Sequence, residues 1–238
     1  MNSLAALITG GGRRLGKAMT LALAHKGYGI ALHYHQREEE AKDTATGVHA
    51  LSVDCRLYRG DLTNDQESGE LMDQVMNDFP GLSLVVNNAS LFEPASFLET
   101  DSRLFDRQFA IHLKAPFILT RNFARRARGG CIINILDAKI KGHRPTHMAY
   151  ILAKKALAEF TLIAARDLAP RFRVNGVAPG PVEPPPGKDT SYLDRVAEKI
   201  PLKTRGYPED IARAVVFLAE NPFITGEILF VDGGESLS

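Results

Sequence analysis

Along this chain, short runs of apolar, often β-branched residues alternate with longer stretches in which apolar residues recur every three or four positions. The short runs cover Leu4 to Ile8, Gly29 to His35, Arg56 to Gly60, Leu82 to Val86, Ile132 to Ile135, Phe172 to Ala178 and Ile228 to Val231. Most are apolar almost throughout, as suits strands covered on both faces. Helical spacing fills the intervals: Leu15 to Gly27, Arg37 to about Val53 (interrupted by Gly47), Gln66 to Phe79, Ser102 to about Arg128, Tyr150 to Leu168, Tyr192 to Ile200 and Pro208 to Glu220. In the fourth of these, Leu104, Phe105, Phe109, Ile111, Leu113, Phe117, Ile118, Leu119 and Phe123 are expected to form the apolar face. In the fifth, Ala153, Ala156, Leu157, Phe160, Leu162, Ile163 and Ala164 are expected to do so. Strand and helix alternate without linker or internal repeat. That order predicts an α/β domain spanning 1–238, a doubly wound, mainly parallel seven-stranded sheet flanked by helices. Ligands of such sheets lie at the carboxyl ends of the strands.

The strand ends carry the candidate chemistry. Thr9-Gly10-Gly-Gly-Arg13-Arg14-Leu15-Gly16 joins the first strand to the first helix. Glycines allow close backbone approach, and a helix start presents unpaired N–H groups, so this turn suits a phosphate. A tight turn without a ligand is the plain alternative, although three glycines and two arginines are costly for it. The spacing is not Gly-x-Gly-x-x-Gly. After the second strand, His35-Gln36-Arg37 lacks the acid that holds a ribose 2′-hydroxyl, and an arginine there favours the 2′-phosphate of NADP, with Arg13 or Arg14 adding charge. Alternatively, Arg37 is solvated and merely opens the helix that continues with Glu38, Glu39 and Glu40. Asn87-Asn88-Ala89-Ser90 ends the fourth strand, where side-chain amides can hold neighbouring loops. Asp137 ends the fifth, and Tyr150 and Lys154, four apart, share a helix face. Singly these three read as a loop acid, a half-buried phenol and a solvated amine; together they make a proton-transfer site. The proline-rich run Pro179-Gly180-Pro-Val-Glu-Pro-Pro-Pro-Gly187 can hold neither sheet nor helix and reads as a lid, with a substrate loop over about 181–205.

Composition narrows the partners. The 238 residues are 45% hydrophobic and 24% charged, with a net charge of +1, so no long-range field favours nucleic acid or an anionic membrane. No apolar run is long enough to span a bilayer, and the N-terminus lacks the basic leader of a secretory signal. Cys55 and Cys131 are lone cysteines, and no Cys/His group has zinc spacing. A cytoplasmic protein without a metal is expected, its partner a small-molecule substrate.

Thr9-Gly10…Gly16, Asp61-Leu62, Asn87-Asn88-Ala89, Tyr150-x-x-x-Lys154, Arg173-Val-Asn175…Pro179-Gly180 and Asp232-Gly233-Gly234 together resemble the short-chain dehydrogenase/reductase family over essentially the whole chain. Gly-Gly-Gly-Arg-Arg14-Leu-Gly, His33-Tyr34-His35, Ser90 with Phe92, and Asp137 where most members carry serine resemble its pteridine reductases and bacterial dihydromonapterin or dihydrofolate reductases. The resemblance implies a Rossmann-like NADP(H) domain. The implied cofactor contacts are Gly10, Arg13, Arg14, Leu15, His35, Gln36, Arg37, Asp61, Leu62, Asn88, Ala89, Lys154, Pro179 and Gly180. It implies hydride transfer to a pterin C=N bond, with Tyr150 and Asp137 as proton donors. Lys154, with the positive charge of oxidised nicotinamide, would draw Tyr150 toward phenolate, and Lys154 would hold the nicotinamide ribose. Phe92, Ser90 and Arg14 would hold the heterocycle. Departures are His112 in place of the usual asparagine, a basic residue shifted by one at Arg37, and Val182 where a polar cofactor contact is usual. Rival readings are a carbonyl reductase, such as one acting on 3-oxoacyl carrier protein, and a nucleotide-sensing protein without turnover. The helices at 102–128 and 150–168 match those with which the family builds homotetramers.

Overall fold

The computed structural model describes residues 4–143, 146–185, 187 and 189–237. Positions 186 and 188 of the expected lid thus lie outside the described residues. Seven strands form one sheet: β1 (Ala5–Ile8), β2 (Gly29–Tyr34), β3 (Cys55–Arg59), β4 (Leu82–Asn87), β5 (Gly130–Ile135), β6 (Phe172–Pro179) and β7 (Ile228–Val231). Their order is β3-β2-β1-β4-β5-β6-β7, and every pairing is parallel. The order reverses at β1 and β4, so a crevice opens between the loops that follow them.

The pleat sorts side chains to two faces. Ala6 and Ile8 of β1 point to one core, where they meet Met19 and Leu23 of α1 (Arg14–His25), Ala41 of α2 (Glu38–His49) and Ile211 and Val215 of α8 (Pro208–Glu220). Ala5 and Leu7 point the other way. They meet Leu71 and Val75 of α3 (Asp65–Asp78) and Leu119 and Phe123 of α5 (Ala115–Arg126), with Phe172 of β6 edge-on to Phe123 at 5.4 Å. Burying each such aliphatic or aromatic side chain is worth about 1.5–3 kcal/mol.

The remaining helices are α4 (Ser102–Phe109), α6 (Met148–Asp167) and α7 (Thr190–Ala197). A wider π-type turn over Ala110–Lys114 joins α4 to α5 and turns His112 inward. The expected apolar faces of α4–α5 and α6 need correction. Ile111, Ile118, Leu119 and Phe123 are buried, but Phe117 is exposed. In α6, Ala153, Leu157 and Ala164 face the core, while Leu162 and Ile163 are exposed. These helices carry apolar residues on two faces, and periodicity alone cannot say which face meets the sheet. Other boundaries move by a few residues: α2 stops at His49, well short of Val53, and α7 spans Thr190–Ala197, not 192–200. No described helix is long and apolar enough to cross a membrane.

Polar residues lock the strand ends. Arg173 of β6 donates to Leu218 O and Ala219 O at the end of α8 and to Ile224 O beyond it. Asn175 donates to Ile224 O and accepts from Glu227 N. Gly180 N donates to Val231 O, and a Cβ on Gly180 would lie 2.5 Å from Asp232 Cα. Asp232 in turn accepts from Gly234 N and Ser236 N. In the sheet's centre, Asn87 donates to Asn134, which donates to Thr161 of α6, both at 2.8 Å and buried. Asn134→Leu would leave Asn87 Nδ2 and Thr161 Oγ1 without this partner, so urea unfolding should show a loss of about 2–4 kcal/mol. A loss under about 0.5 kcal/mol, within the ordinary scatter of surface substitutions, would show that this network does not hold α6 to the sheet.

Candidate active site

The crevice is built from the loop after β1 upward. Thr9 Oγ1 accepts from Asn88 N and Ala89 N, and Asn88 Nδ2 donates to Thr9 O and Gly10 O. The side chain of Asn88 is therefore spent on the loop, which is the structural role available to an amide at a strand end. Below the loop lies His33 of β2. Its Nε2 is 3.0 Å from Gly60 O, and its Nδ1 is 3.2 Å from Gly10 N. A carbonyl only accepts and an N–H only donates, so Nε2 carries the proton and the ring is neutral. Burial pushes its pKa down to about 4. His33 joins the glycine loop to the end of β3. Its only signal in the sequence was its place in the His-Tyr-His stretch.

The glycines serve packing first. A Cβ on Gly16 would collide with the Gly10 carbonyl, one on Gly12 would lie 2.8 Å from Ala41 Cα, and Gly10 itself has φ +63°. The capacity for an anion lies at the start of α1. Its N-cap, Arg13, makes no side-chain cap, and no acid stands in its first turn. The donors left there, with half-exposed Arg13, suit a dinucleotide pyrophosphate. Arg14, in left-handed conformation at φ +53°, bonds Glu183 at 2.9 Å and Pro184 O at 2.8 Å.

At the end of β2, His35, Gln36 and Arg37 are exposed. His35 Nε2 lies 3.9 Å from Asp61 Oδ2. Burial acts to raise the Asp61 pKa, but bonds from Thr63 N and Oγ1 outweigh it and hold the carboxyl below its usual range. The Leu62 side chain lies in the core, so only its backbone can face a cofactor. Val182 is likewise a core residue, packed with Ile211 and Val215. That explains why the expected polar group is missing there. Pro179 is buried at the end of β6, beside Gly180.

Asp137, Tyr150 and Lys154 do meet. Asp137 caps a short 3-10 turn by accepting from Lys139 N through Oδ1, and its Oδ2 accepts from Tyr150 Oη at 2.8 Å. Lys154 Nζ donates to Ile135 O at 2.6 Å. Burial lowers the Lys154 pKa to about 8, against the opposing pull of Asp137. Two expectations are corrected here, a phenolate at Tyr150 and a second proton donor at Asp137, because both Asp137 oxygens accept hydrogen bonds. Burial first, then the charge and hydrogen bond of Asp137, raise the Tyr150 pKa well above 10, so its proton is kept.

His112 sits edge-on to Tyr150, with ring centroids 5.1 Å apart. Its Nδ1 is 3.0 Å from Gln108 O, and its Nε2 is 2.9 Å from Ser90 Oγ and 3.3 Å from Leu91 N. Burial, then the Lys154 charge, hold its pKa well below 6.5. The neutral ring must donate from Nδ1, so Nε2 accepts and the Ser90 hydroxyl points its proton at His112. Ser90 thus offers the pocket only lone pairs. Phe92 is half-buried, stacked on His147 at 4.1 Å and edge-on to Tyr150 at 5.0 Å.

Residues 12–236 match the family described as enoyl-(acyl carrier protein) reductase. An uncharacterized oxidoreductase of Mycobacterium tuberculosis is 34% identical, covering 96% of this chain and 90% of the relative. A 3-oxoacyl-[acyl-carrier-protein] reductase of Staphylococcus epidermidis is 30% identical, covering 96% of this chain and 97% of the relative. Among solved structures, an alternative dihydrofolate reductase of Brucella suis, FolM, in complex with NADP, superposes with a TM-score of 0.94 at 34% identity, covering 99% of this chain and 96% of that one. A short-chain dehydrogenase/reductase of Serratia marcescens gives 0.92 at 29% identity, covering 98% of each chain.

The neutral His33 has a measurable consequence. Unfolded, it takes a proton near pH 6.5; folded, it takes one only near 4. Its contribution to stability is therefore complete above pH 6.5 and is lost as pH falls toward 4, by about 2 kcal/mol at pH 5. His112 acts with the same sign, so the wild type must be compared with His33→Gln. In urea unfolding, the drop in stability from pH 7 to pH 5 should be about 2 kcal/mol smaller in the variant. Equal drops would contradict a neutral, buried His33.

Proposed function

We propose that this chain, which belongs to the short-chain dehydrogenase/reductase family, uses NADPH to reduce a C=N bond of a pterin, a dihydropterin or dihydrofolate species. The family makes it an oxidoreductase. NADP as cofactor is supported by the uncapped start of α1, by Arg37 in place of an acid after β2, and by the NADP complex of the 34% identical Brucella enzyme. Bound nicotinamide supplies the hydride; the remaining work falls to side chains of this chain.

The observation that carries the pterin reading is Asp137 at 2.8 Å from the Tyr150 hydroxyl. A ketone oxygen gains most from two hydrogen-bond donors as it becomes an alkoxide. Here the serine donor of most family members is replaced by a carboxylate, and Ser90 spends its proton on His112. Tyr150 is then the one donor among these three groups. A C=N nitrogen needs a single proton as hydride reaches its carbon, and Tyr150 holds that proton ready. The N–H groups along a pterin's edge match the acceptors Ser90 and Asp137, and Phe92 offers an aromatic shelf for the ring. Lys154, still an ammonium at neutral pH, stands beside the phenol to balance the charge left when the proton moves. It keeps two N–H bonds beyond the one to Ile135 O, enough for the hydroxyls of a ribose. Arg14 is tied to Glu183 in the ligand-free protein, so its contact with substrate requires that pair to part.

The same reading includes a cytoplasmic homotetramer. Both cysteines are free. The outward side of α4–α5 carries an open groove of about 640 Å³ lined by Phe109, Leu113, Phe117 and Phe160, with Asp65, Asp106 and Lys114 beside them, a mainly apolar face suited to a second copy. The residues around 181–205 would cover the substrate.

A carbonyl reductase is the alternative, favoured by the 30% identical Staphylococcus relative. Asp137→Ser separates the two. With NADPH, the variant should lose about 100-fold or more in kcat/KM on dihydrobiopterin or dihydromonapterin, and much less on a ketone or an acetoacetyl thioester. Equal losses on both, or wild-type turnover of the thioester alone, would overturn the pterin assignment.

A further inference from the structure

The loop after β6 sends one side chain back into the anion site at the start of α1. Glu183 Oε2 accepts from Arg14 Nε at 2.9 Å, Arg14 Nη2 holds Pro184 O, and the Leu15 backbone N–H and the Arg13 charge also act on the carboxylate. Arg14 is the first residue of α1 and Leu15 the second, so the carboxylate lies against the helix start, held by the Arg14 side chain and acted on by the Leu15 backbone N–H. The Glu183 side chain is only 20% exposed. Burial therefore raises its pKa, against the lowering effects of Arg14, Leu15 and Arg13. A buried carboxylate is costly unless it is paired, and here its partners are the groups expected to meet a dinucleotide phosphate.

We propose that Glu183 is an internal counter-anion that occupies the phosphate cradle of the ligand-free protein and must be displaced by the dinucleotide. The inference rests on the dinucleotide reading of the cradle and goes beyond it, because it makes the loop after β6 a competitor for the cofactor. No side chain of α1's own N-cap neutralises the helix start and no acid lies in its first turn, so this loop supplies the negative charge. The loop is anchored on one side only one residue away: Val182 is buried in the core, with Gly206 packed so close that a Cβ there would lie 2.7 Å from Val182 Cγ1. Beyond Glu183 come Pro184 and Pro185, which have no N–H to tie them elsewhere. Displacement of the carboxylate releases Arg14 from both Glu183 and Pro184, so filling the cradle frees these two residues, upstream of α7, and frees the guanidinium for phosphate or substrate.

The test is NADPH affinity, read by nucleotide fluorescence on the full chain, with folding checked by thermal melting. Glu183→Gln keeps the shape and removes the charge; Glu183→Ala removes the competitor altogether. Both should bind NADPH about fivefold more tightly than wild type, the scale of one charge at a helix start. Hydrogen exchange in wild type gives an independent readout: NADPH, and inorganic pyrophosphate at higher concentration, should speed exchange of the Ser191 N–H, held near Asp189 at the entry to α7. Unchanged or weaker NADPH binding by both variants, or slower exchange at Ser191, would overturn the proposal and make Glu183 a clasp that assists the cofactor. No NADPH binding by wild type would instead remove the dinucleotide reading beneath it.

Discussion

The site depends on one part-buried hydrogen bond, from the Tyr150 hydroxyl to the Asp137 carboxylate. Three parts of the fold must agree for it to form. β5 has to end at Ile135, so that Asp137 caps the 3-10 turn that follows. α6 has to begin at Met148, so that Tyr150 and Lys154 lie one turn apart on its buried side. The Asn87–Asn134–Thr161 chain has to hold α6 against β5 and β4. Because Tyr150 is buried, the carboxylate acts strongly on the phenol, and the proton stays on the phenol oxygen. A serine at position 137 would make a donor of this corner; the carboxylate makes it an acceptor.

Much of this was legible from residue pattern. Seven strands, their parallel pairing and the gathering of Gly10, Asn88, Asp137 and Pro179 at the strand ends follow from strict alternation and the handedness of βαβ crossovers. The meeting of Asp137, Tyr150 and Lys154 could be read from a strand end and a four-residue helix spacing. What stayed hidden is physical in origin. Leu162, Ile163 and Phe117 sit at helical positions like those of core residues, yet they face outward, and an apolar face turned from the sheet looks the same in sequence as one turned toward it. The roles of His33, Arg173 and Asn175 depend on backbone groups 23 to 52 residues away, which no local pattern reveals. The direction of the Tyr150 shift also escaped the sequence: Lys154 argues for phenolate, and only burial beside a carboxylate reverses it.

The crevice shares one device in several places: polar groups are committed to the protein itself before any ligand arrives. Asn88 is spent on Thr9 and Gly10, Ser90 on His112, Asp61 on Thr63, and Arg14 on Glu183. Such commitments fix which groups can donate and which can accept, and they keep buried polar atoms paired in the ligand-free state. They divide into two kinds. The first three set the shape and hydrogen-bond polarity of the walls, whereas the Arg14–Glu183 pair spans two segments and has to part when the cradle fills.

The central claim is that Tyr150 keeps its proton because it is buried against the Asp137 carboxylate. The direct measurement is a spectrophotometric titration of tyrosine ionisation in the ligand-free protein, with Tyr150→Phe subtracted to isolate the one phenol. The account predicts no ionisation of Tyr150 by pH 10, and a titration that moves down when Asp137 is replaced by Asn. Ionisation of Tyr150 at or below pH 10 in the wild type, or a titration indifferent to Asp137→Asn, would contradict it.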